Sequence, residues 1–225
     1  MQSRLLLCMI FCLAKEERSC YNRLIMQGKA GPQMEKKNML VLFGSPRPHG
    51  ATARLLQTFL QKVDPEAIRV TTFDAYRGNY HPCTACGYCQ TREACVFHDL
   101  DEFDRELRAA DYLVIAAPVY HMSFPAPCKA VMDRWQRYFE ARFAMGIRPP
   151  IEKPKTAAFL TAYGSSNPEG AHMMTRQLEL AFTVMNTKLE HVVEWPHTDR
   201  TGTTEIPPEV MEKAHQAALA MTEKT

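Results

Sequence analysis

Met39-Leu-Val-Leu-Phe-Gly-Ser-Pro-Arg-Pro-His-Gly-Ala-Thr52 is the stretch on which the fold turns. Met39 to Phe43 is an apolar run too short for a helix and ended by a glycine, which reads as a buried strand. Beyond it Leu55, Leu56, Phe59, Leu60 and Val63 recur at helical spacing, so residues 44–52 join a strand to a helix N-terminus. The first turn of a helix has unpaired N–H groups and the positive end of the macrodipole, and so favours an anion. Ser45 and Thr52 can donate to phosphate oxygens, and Arg47 can add a charged fork. The loop reads as phosphate-binding, with an ordinary strand-turn-helix connection as the alternative.

Working outward, Ala67–Phe73 has the β-branched content of a second strand, and a cysteine-rich loop follows over residues 83–95. Leu100, Phe103 and Leu107 mark a short helix with an acidic first turn. Asp111 to Pro118 is a third strand, apolar enough to be covered on both faces. A helix is expected from about Ala126 to Arg142, then a fourth strand at Thr156–Thr161 and a helix through Met174, Leu178, Phe182 and Met185. A fifth strand at Leu189–Glu194 and a helix around Val210–Met221 complete the pattern. Alternating strands and helices predict an α/β fold, a three-layer sandwich on a parallel sheet. Five strands with a phosphate loop after the first fit the flavodoxin-like order 2-1-3-4-5, whose crevice lies beside strands 1 and 3.

Which phosphate the loop would hold depends on its spacing. A P-loop needs Gly-x-x-x-x-Gly-Lys-Ser/Thr, whereas five residues separate Gly44 from Gly50 and no lysine follows. The dinucleotide pattern Gly-x-Gly-x-x-Gly is also absent. Gly-Ser-Pro-Arg-x-x-Gly-x-Thr after an N-terminal strand resembles the flavodoxin-like NADPH-dependent FMN reductases. That resemblance implies that Ser45, Arg47, Gly50, Ala51 and Thr52 surround the FMN phosphate. Ala51 departs from the family's usual asparagine and removes one side-chain donor.

The resemblance extends to two further loops. Ala117-Pro-Val-Tyr-His-Met-Ser-Phe-Pro125 is similar to the family's Pro-Val-Tyr segment. It implies that the backbone of Pro118, Val119 and Tyr120 meets the pyrimidine edge of the flavin, with Tyr120 as an aromatic wall. His121 is a candidate donor near N1, where it would favour the reduced ring, or simply a wall residue. After the fourth strand, Tyr163 and Gly164 inherit a contact with the ring, with a plain polar turn as the alternative.

Eight cysteines divide into groups. Cys8, Cys12 and Cys20 lie in the leading segment, and Cys128, alone in a helix, reads as a small buried hydrophobe. Cys83-x-x-Cys86-x-x-Cys89-x5-Cys95 brings four thiols close in sequence, as in ferredoxin-type runs, whereas zinc sites usually space two pairs further apart. The spacing resembles the iron–sulfur flavoproteins of the same family, which implies a [4Fe–4S] cluster; zinc and free or redox-active thiols remain the alternatives.

Bulk properties bound the function. The 225 residues suit one domain with a leading extension, and a formal charge of +2 without a basic cluster argues against a nucleic-acid binder. No run approaches the ~18 apolar residues a membrane span needs. Residues 1–37 are expected to be an N-terminal extension, disordered or reflecting a misassigned start with translation from Met34; Leu5–Ala14 also has some likeness to a signal peptide. The domain is expected over residues 38–225, in the cytoplasm. The leading expectation is an FMN-dependent oxidoreductase taking electrons from NAD(P)H, or from ferredoxin if a cluster is present, and passing them to a small acceptor such as a quinone or free flavin. An electron carrier between protein partners and a thiol-based redox sensor are the rivals. The family resemblance implies a homodimer or homotetramer.

Overall fold

The computed structural model describes residues 36–199 and 205–223. The expectations for the leader, up to residue 35, lie outside the described residues. Strands β1 (Lys37–Phe43), β2 (Ile68–Asp74), β3 (Tyr112–Ala116), β4 (Lys155–Ala162) and β5 (Thr187–Trp195) form one sheet in the order β2-β1-β3-β4-β5. Every pairing is parallel. This is the flavodoxin-like order expected from the sequence.

Side chains alternate across the strands, and both faces are covered. Leu40, Leu42, Leu113, Ile115, Ala157 and Phe159 pack on one side with helices α2 (Asp101–Ala109), α3 (Ala126–Asp133), α4 (Gln136–Phe143) and α5 (Glu169–Phe182). Met39, Val41, Phe43, Val114, Ala158 and Leu160 pack on the other with α1 (Ala51–Leu60) and α6 (Pro208–Glu223). Central strand β3 is buried at all five positions, which is why its sequence is continuously apolar.

Two details differ from the sequence expectation. The single helix over 126–142 is two, α3 and α4, joined where Arg134, Trp135 and Tyr138 donate their N–H groups to carbonyls three residues back. The break accompanies the burial of two neighbours in different directions. Arg134 turns toward the cysteine loop, while Trp135 lies 6.2 Å from the Phe182 ring. Strand β5 is longer than expected and carries a bulge, since Ala157 pairs with Leu189 but Ala158 with His191.

Candidate functional site

Strands β1 and β3 lead into neighbouring loops at their C-terminal ends, on opposite sides of the point where the strand order reverses. The turn after β1 is seated tightly. The Gly44 N–H donates to Ala116 O at 2.8 Å, and a Cβ at Gly44 would stand 2.8 Å from both Cβ and Sγ of Cys128 and 3.2 Å from the Cβ of Ala117. Within the turn, the Arg47 N–H donates to Ser45 Oγ at 3.3 Å and the Gly50 N–H to Arg47 O at 3.1 Å. Gly50 caps α1 without a side-chain hydrogen bond, so no cap side chain occupies the first-turn N–H groups. Ser45 and Thr52 are buried, at 6% and 3% exposure, although both are polar.

A cavity of about 160 Å³ opens above this turn. Ser45, Arg47, Gly50, Ala51 and Thr52 line it from the first loop, Pro118, Val119 and Tyr120 from the loop after β3, and Ala162, Tyr163 and Gly164 from the end of β4 and the loop after it. Residues singled out from three separate stretches of sequence therefore share one wall. His121 stands outside that lining. Thr198 and Asp199 also line it, and sequence reasoning missed them. The available signal was positional, because they follow β5 at the same edge of the sheet. Asp199 packs so closely on Gly164 that a Cβ there would meet its carboxylate Oδ2 at 1.6 Å.

The loop after β3 is a strained, well-supported turn. Tyr120 and Ser123 exchange N–H···O bonds of 2.9 Å, with His121 and Met122 at φ of 47° and 61° between them. Left-handed backbone at non-glycine residues is costly and concentrates at functional sites. Gly170 of α5 supports the turn from below, since a Cβ there would lie 2.5 Å from Val119 Cγ1 and 3.2 Å from Met122 Cα. Tyr120 and Met122 consequently stay out in solvent, at 40% and 43% exposure. On the other side Tyr163 is buried and donates its hydroxyl to Glu194 Oε2 at 2.5 Å. Burial, and then that carboxylate, push its phenol well above the usual tyrosine range.

A second cavity, of about 300 Å³, is lined by Cys83, Cys86, Cys89 and Cys95. Ala85 and Gly87, at φ of 52° and 75°, and a 3-10 turn at Tyr88–Gln90 curl the loop, and Gln136, Arg137 and Glu140 of α4 form part of the facing wall together with Arg134. Arg134 ties both flanks of the loop together: it donates to His81 O at 2.8 Å, Phe97 O at 2.6 Å and Asp99 Oδ1 at 2.8 Å. Arg137 donates to Glu93 O at 2.9 Å. Burial would raise the Asp99 carboxyl, but hydrogen bonds from His81 and the Arg134 guanidinium outweigh it and hold the group at about 2. Burial pushes the Cys89 thiol up, with Glu140, Cys83 and Cys95 adding to the effect and its own backbone N–H opposing it. All four thiols are free. Among the described residues, no three His, Cys, Asp or Glu side chains are grouped closely enough to hold a metal ion. Cys128 is buried in the core, as expected, and burial raises its thiol to about 12.

An open parallel sheet with an anion-suited turn after its first strand, and a cavity where the strand order reverses, defines a flavodoxin-like α/β protein. The profile of the NADPH-dependent FMN reductases matches residues 38–195, and the chain belongs to that family. It is 33% identical over 125 residues to an iron-sulfur flavoprotein of Methanosarcina thermophila, covering 55% of this chain and 62% of that one. With an iron-sulfur flavoprotein of Archaeoglobus fulgidus it shares 27% over 129 residues, 57% and 56% of the two chains. The chain thus spans a little over half the length of these curated relatives. Among solved structures, the NAD(P)H:quinone oxidoreductase of Methanothermobacter marburgensis superposes with a TM-score of 0.62 at 18% identity, over 84% of this chain and 97% of that one. An FMN-dependent NADH-azoreductase of Bacillus anthracis, solved with FMN, gives 0.59 at 12% identity, over 82% and 99%. At those identities the likeness concerns the fold. Among the described residues, no helix is long and apolar enough to cross a membrane.

Proposed function

We propose that this chain binds FMN in the cleft beside β1 and β3 and acts as an NAD(P)H-dependent FMN oxidoreductase, passing electrons to a small acceptor such as a quinone or free flavin. The observation that carries this reading is the meeting, in one cavity, of the first-helix turn with the loops after β3 and β4. Ser45, Thr52, the Arg47 guanidinium and the first N–H groups of α1 would hold the phosphate. Gly50 and Ala51 leave the backbone open to it. The cavity, at about 160 Å³, is smaller than the ~300–1,000 Å³ of pockets that enclose a whole ligand. It therefore suits the phosphate end, with the ring at the mouth against Pro118, Val119, Tyr120, Tyr163 and Gly164. His121, on the strained turn beside Tyr120, is the candidate donor to the ring. The bound flavin supplies hydride acceptance and electron release, while the protein orients it and limits access. An exposed ring face suits a nicotinamide and then an acceptor in turn. Loading the purified chain with FMN and following NAD(P)H oxidation tests the reading: turnover with a quinone or free flavin is expected, and an FMN-loaded chain inert toward both nicotinamides would refute it.

The cysteine cavity favours a second component. Four free thiols line one open cavity, a donor set whose chemistry suits a [4Fe–4S] core held by Cys83, Cys86, Cys89 and Cys95, provided that the loop draws the thiols closer together than they stand here. Such a group would supply one-electron transfer, and it would admit ferredoxin as donor or a role as carrier between protein partners. Iron and acid-labile sulfide in protein purified without oxygen test this. Zinc alone, or neither metal, would refute it. Stoichiometric iron with negligible NAD(P)H turnover would favour the carrier. Exposed Phe139, Phe143 and Leu180 beside an apolar groove support self-association as a homodimer or homotetramer.

A further inference from the structure

Among the described residues that line the cavity above the turn after β1, Asp199 alone is acidic. Two backbone bonds deliver it there. The Thr198 N–H donates to Tyr163 O at 3.1 Å and the His197 N–H to Ser165 O at 3.4 Å, with His197 at a left-handed φ of 63°. These bonds lay the segment after β5 along the loop after β4. The Asp199 side chain then rests on Gly164, with Oδ2, Cγ and Oδ1 at 1.6, 2.1 and 2.7 Å from the point a Cβ would occupy. Glycine at 164 is what leaves room for the carboxylate. Among the described residues no hydrogen bond or ion pair engages that carboxylate, although Arg47 lines the same cavity.

An ionised carboxylate accepts hydrogen bonds and donates none, and its charge opposes a phosphate held in the same small space. Asp199 therefore does nothing for the anion, which Ser45, Thr52, Arg47 and the first N–H groups of α1 serve. A ligand that satisfies both sides of the cavity has an anion at one end and O–H or N–H donors close to it. In FMN the groups next to the phosphate are the ribityl hydroxyls. Its imide N–H lies at the far edge of the ring, beyond a cavity of about 160 Å³.

We infer that the Asp199 carboxylate accepts a hydrogen bond from a ribityl hydroxyl and so selects a flavin with its polyol chain over the bare ring. The inference rests on the FMN reading proposed above. Asp199 is exposed, so the hydroxyl replaces water there, and the gain sits at the low end for a hydrogen bond to a charged group.

The test titrates the flavin-free full chain, by fluorescence, with FMN, with riboflavin and with lumiflavin, in which a methyl replaces the whole ribityl chain. Riboflavin and lumiflavin carry no phosphate, so neither reports the relief of repulsion that accompanies loss of the Asp199 charge. Asp199→Ala is expected to weaken riboflavin binding about tenfold and to leave lumiflavin binding unchanged. Riboflavin affinity that does not fall in Asp199→Ala, or riboflavin and lumiflavin weakened by the same factor, would overturn the inference while the parent's binding of FMN stands. A parent chain that binds no FMN would instead overturn the FMN reading and this inference together. Should FMN bind but either neutral flavin bind too weakly to titrate, a crystal structure of the FMN-loaded parent decides. A ribityl oxygen at hydrogen-bonding distance from the Asp199 carboxylate supports the inference, and a longer separation overturns it.

Discussion

Gly44→Ala probes how firmly the turn after β1 is held. The added methyl would meet Cβ and Sγ of Cys128 at 2.8 Å and the Cβ of Ala117 at 3.2 Å. Cys128 and Ala117 are both fully buried, and two of the three contacts are Cβ atoms fixed to backbone, so rotamer changes relieve little. Overpacking of this kind costs ~1–3 kcal/mol, and the rigidity of these neighbours puts the expected loss at about 2–3 kcal/mol. In urea that is a midpoint shift of about 1 M for a slope near 2 kcal/mol per M, with the slope unchanged. FMN affinity should fall as well, because the same displacement moves Ser45. Cys128→Ala removes Sγ but keeps Cβ, so the double variant should recover part of the loss, with a coupling of roughly 0.5–3 kcal/mol. Unaltered midpoint and FMN affinity in Gly44→Ala, or strict additivity with Cys128→Ala, would refute the packing argument.

Arg47→Ala should weaken FMN binding about tenfold, since Arg47 is exposed and a charge-assisted bond there sits near the ~1.5 kcal/mol end of its range; fluorescence titration measures it, and added salt should narrow the difference. Asp99 has a folded-state pKa near 2 against an ordinary ~3.9, so its stabilising effect is complete above about pH 4 and is lost as pH falls toward 2. Asp99→Asn should lower stability at pH 7 and flatten the acid limb of stability over that window, as read by urea midpoints at each pH. Gly170→Ala should displace the Tyr120–Ser123 turn, because its methyl would meet Met122 backbone at 3.2 Å, and so lower NAD(P)H turnover more than it lowers FMN retention. Serine at Cys83, Cys86, Cys89 or Cys95 should reduce iron and sulfide content while leaving flavin content intact, by elemental analysis and absorbance.

The strand order and the first cavity were legible in the sequence because each rests on local signals. The Met39–Phe43 run, the glycines that end it and the helical spacing behind it lie within one window, and the topology of a parallel sheet then brings the loops after Ala116 and Ala162 alongside. Thr198 and Asp199 lacked such a signal, since an ordinary Thr-Asp after a strand acquires meaning only when that strand's end is placed in space. The clamp on the cysteine loop was likewise hidden. Helical spacing puts Arg134 three residues after Val131 and four before Tyr138, beside the apolar face, but nothing local says that its partners would be His81, Phe97 and Asp99.

The central claim, an FMN phosphate held where β1 passes into α1, is tested most directly by titrating the flavin-free chain with FMN and with riboflavin, which lacks the phosphate. Two or more charge-assisted contacts at ~1.5–3 kcal/mol each predict that FMN binds at least about 100-fold more tightly. Equal affinities for the two flavins, or no binding of either, would contradict the account.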